Sequence, residues 1–316
     1  MVTASLRQRR PFPSRRADRK NERCEPANLG TIGLNPGVAD ILYVTTGLDI
    51  GGAETMLAQL ILRLRERGHR QRVFSLTGAG IIARTLQSEG IDVTGLDVRT
   101  PLRGLAAAWH LAGEIRRMRP DVVQGWMYHG NLAALLAHRL AGRPSHTRVF
   151  WNLRASNIDL QRYGGILRWS ARLSRMPDLI IANSKAGADF HLRQGFQPRR
   201  FEIVHNGIKT DTFRPDAALR SEVRARFGIA SDAVVALHAA RVDPMKDHAT
   251  FLTAVQQVPE VTALLVGAGT EKLPLPLNAR ALGLRQDMDQ LYVMADIVIS
   301  SSAFGEGFSK DRKSVV

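Results

Sequence analysis

The stretch ILYVTTGLDIGGAETMLAQLILRLRERG, residues 41–68, decides the fold class. Its first six residues are mostly apolar or β-branched, as expected for a buried strand. Two adjacent glycines follow, Gly51 and Gly52, and then apolar residues recur with the helical period as far as Leu64. A strand, a glycine loop and a helix in this order can present backbone N–H groups to a phosphate. The full G-x-G-x-x-G spacing is absent, so a tight turn explains the loop equally well.

Strand and helix patterns alternate along the rest of the chain. We predict strands at 72–77, 92–98, 121–126, 148–154 and 179–184, a strand and turn at 201–208, and a second run of strands at 233–241, 262–269 and 297–300. The proline-containing segment 212–215 separates the two runs. Such alternation predicts a mainly parallel sheet with helices on both faces, hence an α/β protein.

Three regions follow from this pattern. Residues 1–39 are rich in Arg, Pro, Ser and Asn, and we predict a disordered basic extension. Residues 40–210 form a first domain. Residues 211–316 form a second domain with about three strands, which is fewer than an independent domain of this class would have.

The composition narrows the function classes. The 316 residues are 44% hydrophobic and contain one cysteine, so an internal disulfide is excluded. The formal net charge is +15. This excess is explained by a solvated basic surface or by a face that meets anionic lipid or a phosphorylated acceptor. Nucleic-acid binding is disfavoured because no nucleic-acid motif accompanies the charge.

Candidate site residues follow the predicted strands of the first domain. His129 comes after the strand 121–126 and can donate to a sugar hydroxyl or a phosphate, although a helix-terminal histidine without a role is the plainer alternative. Trp126 and Tyr128 beside it are either packing residues or a sugar platform. Arg154 ends the strand 148–154 and suits an anionic group or a surface ion pair.

The second domain repeats this arrangement. Arg241 and Lys246 follow its first strand and can converge on one pyrophosphate, the arginine bidentately and the lysine as a point charge. Gly267 ends the next strand, where backbone can pass close to a nucleotide. Glu306 lies between two glycines after the strand 297–300, where a carboxylate can accept hydrogen bonds from hydroxyls. In a parallel sheet, ligands bind beyond the carboxyl ends of strands, so all of these candidates are expected at that edge.

These segments together resemble glycosyltransferase family 4, in the order that this family has them. The matching segments are GLDIGGAETML (47–57), WMYHGNLAALLAHRLAG (126–142), WNLRASN (151–157), IIANSKAG (180–187), IVHNGIKTDTFRP (203–215), AARVDPMKDHATF (239–251), LLVGAGT (264–270) and SSAFGEGF (301–308). The resemblance implies a GT-B fold, in which two Rossmann-like domains face each other across a cleft, with the second domain incomplete here.

The resemblance also implies an activity, namely retaining, metal-independent transfer of a sugar from a UDP- or GDP-sugar to a lipid-linked or polysaccharide acceptor. No cofactor is implied beyond the donor. The expected process is envelope glycan synthesis in the cytoplasm. The basic charge of the first domain favours an acceptor at the inner face of the membrane.

Individual roles are carried over by position. Arg241 and Lys246 match the pyrophosphate-binding pair. The catalytic candidates are His129, which matches a histidine that contacts the transferred sugar, and Glu306, which matches the first glutamate of an E-x7-E motif. The remaining matches are Gly51 and Gly52, in the loop that meets donor phosphate and acceptor, and Gly307 and Phe308 as backbone N–H donors. Arg154 and Asn206 are further candidates for substrate binding.

The end of the sequence departs from the family pattern. Ser314 stands where the second glutamate of E-x7-E is expected, and SKDRKSVV replaces an apolar helix. We therefore expect a C-terminally truncated chain. The alternative hypotheses are a non-catalytic remnant of such an enzyme and a GT-B nucleotide-sugar epimerase.

Overall fold

The computed structural model describes residues 37–155 and 160–303. The predicted disordered extension over 1–39 therefore lies almost wholly outside the described residues. The same is true of Glu306, Gly307, Phe308 and Ser314.

A seven-stranded parallel sheet forms the first half of the described chain, in the order β3-β2-β1-β4-β5-β6-β7. Its strands are β1 (Asp40–Thr45), β2 (Arg70–Ser75), β3 (Asp92–Gly95), β4 (Val122–Trp126), β5 (Arg148–Leu153), β6 (Leu179–Ala182) and β7 (Phe201–Ile203). Its helices are α1 (Gly52–Glu66), α2 (Ile81–Ser88), α3 (Pro101–Met118), α4 (Met127–Leu140), α5 (Leu160–Leu173) and α6 (Lys185–Arg193).

The central strands explain why this sheet forms. Residues 41–45 of β1 and the whole of β4 are buried, because parallel strands covered by helices on both faces need continuous apolar sequence. In the register of the sheet, Tyr43 of β1 lies between Val73 of β2 and Gln124 of β4. One apolar cluster joins Leu42 and Phe74 to α3 and α4, and a second joins Trp151 to α4, α5 and α6.

A four-stranded parallel sheet follows, in the order β10-β9-β8-β11. Its strands are β8 (Val234–Ala239), β9 (Val261–Val266), β10 (Ala279–Gly283) and β11 (Ile297–Val298), and its helices are α7 (Ala217–Arg226), α8 (His248–Gln256) and α9 (Met288–Met294). The short 3-10 helices Pro244–Lys246 and Thr270–Lys272 follow β8 and β9.

The expectation of about three strands in this region is wrong, because the described part contains four. The strand missed is β10, whose sequence ARALG has no β-branched residue and carries an exposed arginine. It belongs to the sheet edge, where pairing with β9 alone suffices. The predicted boundary between domains at 210 and 211 stays a prediction.

Helix α4 begins at Met127, immediately after β4. Met127 makes this junction with a φ of 64°, in the left-handed region. Strand β7 ends at Ile203, and the segment after it is irregular.

Two buried polar side chains, Arg224 and His191, have specific partners. Arg224 of α7 is 3% exposed. It donates to the carbonyl oxygens of Met294, Ala230, Ser231 and Ala233 and to Asp296 Oδ2 at 2.6 Å. This one side chain thereby links α7 to the segments before β8 and β11. Asp296 compensates the charge of Arg224, which would be costly to bury alone.

His191 of α6 is fully buried, and its two ring nitrogens lie 2.7 Å from Tyr128 Oη and from the carbonyl oxygen of Gly187. Nδ1–H donates to that carbonyl, so Nε2 accepts from the tyrosine hydroxyl. Burial lowers the pKa of His191 to about 4. The ring is therefore neutral in the folded chain at pH 7.

We predict that the fold loses stability as the pH falls from 7.5 to 5. The unfolded chain binds a proton at His191 below a pKa of about 6.5, whereas the folded chain does not until about 4. This difference removes about 2 kcal/mol at pH 5. Urea unfolding of His191→Gln should show a pH dependence that is flatter by this amount. The same substitution at the exposed His146 is the control, and an equal pH slope in wild type and His191→Gln would contradict the assignment.

Candidate functional site

Both sheets have a point where the strand order reverses. In the first sheet it lies between β1 and β4, and in the second between β8 and β11. Loops leaving two neighbouring strands in opposite directions open a crevice beyond their carboxyl ends, which is where α/β proteins bind ligands. The loop with Gly51 and Gly52 follows β1, His129 follows β4, and the loop with Arg241 and Lys246 follows β8. The sequence therefore places these candidates at the two reversal points.

The loop after β1 leads into α1 at Gly51, whose backbone is extended and offers no side-chain cap. Instead, the acidic side chain of Glu54 lies in the first turn of the helix. Its carboxylate accepts from its own backbone N–H and lies within electrostatic reach of Arg241. Burial raises the pKa of Glu54, while that N–H and Arg241 act in the opposite direction. An acidic side chain of the α1 turn and a basic side chain after β8 thus interact electrostatically near the predicted phosphate loop.

His129 lies in the first turn of α4, with an exposed side chain. Helix α4 reaches this position by very close packing on the sheet. A Cβ on Gly130 would lie 2.3 Å from the carbonyl oxygen of Val44 in β1. The surrounding protein desolvates the imidazole and lowers the pKa of His129, so the ring is neutral at pH 7. A neutral imidazole can accept a hydrogen bond from a hydroxyl group or donate one to it.

Arg154 follows β5 and is half-buried. Its guanidinium lies 4.3 Å from the ring centroid of Trp126. Its Nη1 donates to Asn206 Oδ1 at 2.5 Å. Trp126 is fully buried and donates from Nε1 to the carbonyl oxygen of Ala53 in α1 at 3.0 Å. The sugar-platform alternative for Trp126 is therefore wrong, since the ring supports Arg154 and the α1 turn.

Tyr128 is also a packing residue, because it is 6% exposed and its hydroxyl pairs with His191. The aromatic ring next to His129 thus points into the core of the first sheet and away from solvent. This burial leaves His129 as the exposed member of the segment 126–129.

Arg241 and Lys246 lie on the loop between β8 and α8. Arg241 is exposed and forms an ion pair with Asp243 at 3.2 Å. Asp243 also accepts from the backbone N–H of Met245 and so shapes the turn. Lys246 is half-buried at the end of the 3-10 helix. The loop holds both cations on the same edge of the sheet.

The segment after β11 returns to this loop. Ser301 Oγ lies 2.8 Å from the carbonyl oxygen of Lys246, and the N–H of Ala303 donates to the carbonyl oxygen of Met245 at 2.9 Å. The described beginning of SSAFGEGF is thus hydrogen-bonded to the cationic loop. Glu306, Gly307 and Phe308 of this motif lie outside the described residues, and their roles stay predictions.

Gly267 has a structural reason to be glycine. Its φ is +146°, and a Cβ would lie 2.1 Å from the carbonyl oxygen of Ala240. The absence of a side chain lets β9 pass against the backbone that leads to Arg241. This packing explains the residue whether or not a nucleotide approaches it.

Contacts connect the α1 turn, Trp126, Arg154 and Asn206 in one series. The α1 turn accepts from Trp126, the Trp126 ring packs against Arg154, and Arg154 donates to Asn206. Arg241 interacts electrostatically with Glu54 of the same turn. Sequence reasoning missed Glu54 as a site residue, although an acidic side chain in the first turn after two glycines is a recognisable signal. In the ranges 37–155 and 160–303, no group of three or more His, Cys, Asp or Glu residues could hold a metal ion.

The family model described as Glycosyltransferase Family 4 matches residues 50–212. This match is in agreement with the family resemblance drawn from the motifs. A D-inositol 3-phosphate glycosyltransferase of Streptomyces scabiei is 27% identical over 229 residues, which cover 66% of this chain and 50% of that protein. The lipopolysaccharide core biosynthesis glycosyltransferase LpsD of Rhizobium meliloti is 24% identical over 245 residues, which cover 78% of this chain and 64% of that protein. The chain therefore spans about half the length of the Streptomyces relative.

Among solved structures, Anabaena HepE in complex with UDP-glucose superposes with a TM-score of 0.73 at 24% identity. The match covers 86% of this chain and 76% of HepE. Together with the two parallel sheets, this likeness confirms the predicted GT-B fold.

We predict that Gly130→Ala destabilises the protein by about 2–3 kcal/mol, because the added methyl meets the rigid backbone of β1. Gly113→Ala is the matched control. Gly113 lies in α3 with open space around it, so alanine there should be neutral or stabilise by about 0.5–1 kcal/mol. Urea midpoints followed by circular dichroism measure both variants. Equal midpoints would show that α4 does not depend on this close contact.

Proposed function

Because the chain belongs to glycosyltransferase family 4, we propose that it transfers a sugar from a nucleotide-sugar donor to a glycan or lipid-linked acceptor, with retention of the anomeric configuration. One observation carries the proposal. The reversal points of the two sheets hold the candidate residues, and Glu54 of one lies within electrostatic reach of Arg241 of the other. This arrangement supports a donor site at the carboxyl ends of both sheets.

Arg241 and Lys246 bind the diphosphate of the donor in this proposal. Cleavage of the bond between sugar and diphosphate develops negative charge on the leaving group. Two cations fixed on one loop stabilise that charge and need no metal ion for it. The donor is a UDP- or GDP-sugar, and the complex of the structural relative with UDP-glucose favours the first.

In this proposal His129 and Glu306 bind the transferred sugar. The neutral imidazole of His129 hydrogen-bonds a sugar hydroxyl and fixes the ring near the bond that breaks. Glu306, which the family resemblance assigns to the donor sugar, follows a segment that is hydrogen-bonded to the Lys246 loop. The leaving phosphate takes the proton of the attacking acceptor hydroxyl, so attack from the same face retains the configuration.

We predict that Arg241→Ala weakens UDP binding about 10- to 100-fold, the effect of losing one or two charge-assisted hydrogen bonds. Isothermal titration calorimetry with UDP and GDP measures it and also identifies the preferred base. Arg63→Gln is the control, because Arg63 is exposed in the second half of α1, away from the glycine loop. Unchanged UDP affinity in Arg241→Ala would remove the diphosphate assignment, and no UDP or GDP binding by the wild type would favour a non-catalytic remnant.

A second part of the proposal concerns a membrane surface. In the part of the chain that the structure describes, no helix is long and apolar enough to span a bilayer. Helix α3, however, exposes three large apolar side chains: Leu102 is 82% exposed, Leu105 51% and Trp109 53%. Their spacing of three and four residues aligns them along one face of the helix. We call this face the α3 surface.

Charge and position favour an anionic lipid surface as its occupant. Arg103, Arg116 and Arg117 are exposed on the same helix, and the chain carries a net charge of +15. Apolar residues together with arginines on one helix are typical of interfacial membrane binding. Helix α3 follows β3, so its apolar N-terminal half lies toward the edge of the sheet where His129 and Arg154 lie. Docking there brings a lipid-linked acceptor to the site.

We predict that the protein floats with liposomes containing phosphatidylglycerol and that Leu105→Glu and Trp109→Glu together abolish this binding. High salt should weaken the binding, since part of it is electrostatic. Leu277→Glu is the control, because Leu277 is fully exposed in the loop before β10. Flotation that persists in the double variant would show that the α3 surface does not contact the membrane.

A further inference from the structure

Arg154 is a partly enclosed cation that has no anionic partner among the described residues. Its Nη1 meets the neutral side chain of Asn206, and its Nε is buried without a hydrogen-bond partner. Burial lowers the pKa of Arg154 to about 10. No ion pair of this residue is present in the described ranges 37–155 and 160–303, although its guanidinium is positioned by Trp126 and Asn206.

Two other enclosed arginines show what a structural role requires. Arg224 ends on Asp296 at 2.6 Å in addition to backbone carbonyls. Arg72 lies between Asp92 and Glu114. Both neutralise their charge within the protein. Arg154 differs from them because it contacts an aromatic ring, Trp126, and a neutral amide, Asn206, and neither neutralises its charge.

An unmatched charge in such surroundings favours an anionic ligand. Taking a guanidinium out of water is unfavourable unless an anion compensates for it. Trp126 lies against the plane of the guanidinium and Asn206 accepts from Nη1, so the orientation of the group is fixed while Nε has no hydrogen-bond partner. A guanidinium presented in this way suits the two oxygens of a phosphate.

Arg154 belongs to a different sheet from the two cations that are assigned to the donor diphosphate. Arg154 follows β5 in the first sheet, whereas Arg241 and Lys246 follow β8 in the second sheet. Its contacts run to the α1 turn through Trp126 and to the segment after β7 through Asn206. We propose that Arg154, supported by Trp126 and Asn206, binds a phosphate group carried by the acceptor. This proposal rests on the proposed function, since only a transferase requires an acceptor.

The phosphate belongs to a monoester or diester on the molecule that receives the sugar. A lipid-linked phosphate and a soluble sugar or polyol phosphate share this chemistry. Arg154 acts on binding and position of the acceptor, and it does not touch the bond that breaks. Substitution of Arg154 is therefore expected to raise the KM for the acceptor more than it lowers kcat.

The test uses inorganic phosphate as the probe on protein saturated with UDP, which fills the donor site. Phosphate should raise the melting temperature of this complex in the wild type and in Lys185→Gln, an exposed cation on α6 that pairs with Asp189. Arg154→Met should lose the effect, with at least a tenfold weaker apparent affinity. Arg154→Lys should retain part of it.

The melting temperature without phosphate separates binding from folding. If Arg154 serves to bind an anion, Arg154→Met should melt at the same temperature as the wild type or higher, because an unmatched charge is removed. A large fall in melting temperature would assign Arg154 to the fold and overturn the proposal. So would an undiminished phosphate effect in Arg154→Met.

Two further outcomes identify the source of the anion. If UDP abolishes the phosphate effect and Arg241→Ala also removes it, the phosphate site is the donor site and the acceptor assignment is wrong. If the protein binds no UDP or GDP, the proposed function fails, while an Arg154-dependent phosphate effect still establishes the anion site. With UDP bound, glucose 6-phosphate that competes with inorganic phosphate better than glucose does, in the wild type and not in Arg154→Met, would support a phosphorylated soluble acceptor. Competition by phosphatidic acid vesicles alone would support a lipid acceptor.

Discussion

The contact between Asn131 and the backbone of β5 fixes the arrangement of the first sheet and its site. Asn131 is fully buried in α4, and its side chain accepts from the N–H of Asn152 and donates to the carbonyl oxygen of the same residue. Gly125 allows this approach, since a Cβ there would lie 2.4 Å from Asn131 Cα. Helix α4 is thereby fastened to β5 as well as to β4, from which it starts. The exposed edge of its first turn, with His129, follows from this attachment.

The sequence predicts the fold well where periodicity is strong and less well where tertiary contacts decide. Strands such as β1 and β4 are continuous apolar runs, and their parallel pairing follows from the helices between them. Strand β10 could not be predicted, because its residues have no strand preference and form a strand only by pairing with β9. The start of α4 at Met127 could not be predicted, since a left-handed residue directly after a strand is imposed by the packing of Gly125 and Gly130.

The residues of the candidate site could likewise be predicted only in part. Positions after strands could be predicted because parallel strands bring their carboxyl ends to one edge. The partners of these residues could not be predicted, since Glu54 interacts electrostatically with Arg241 from the other sheet and Trp126 contacts Arg154 from a neighbouring strand. Gly267 illustrates the opposite case, in which a glycine at a strand end is fully explained by the neighbouring backbone. A residue type at the right place thus indicates a site, and its contacts indicate what the residue does there.

Trp126 has a consequence beyond its own burial. One face of its ring carries the Arg154 guanidinium, and its N–H holds the first turn of α1. A ligand that orders the glycine loop therefore also orders the support of Arg154, and a ligand on Arg154 orders the loop in return. Such coupling is reciprocal by thermodynamic necessity, so each of two substrates changes the affinity for the other by the same factor. The size of that factor then depends on this one indole ring and its contacts with Arg154 and the α1 turn.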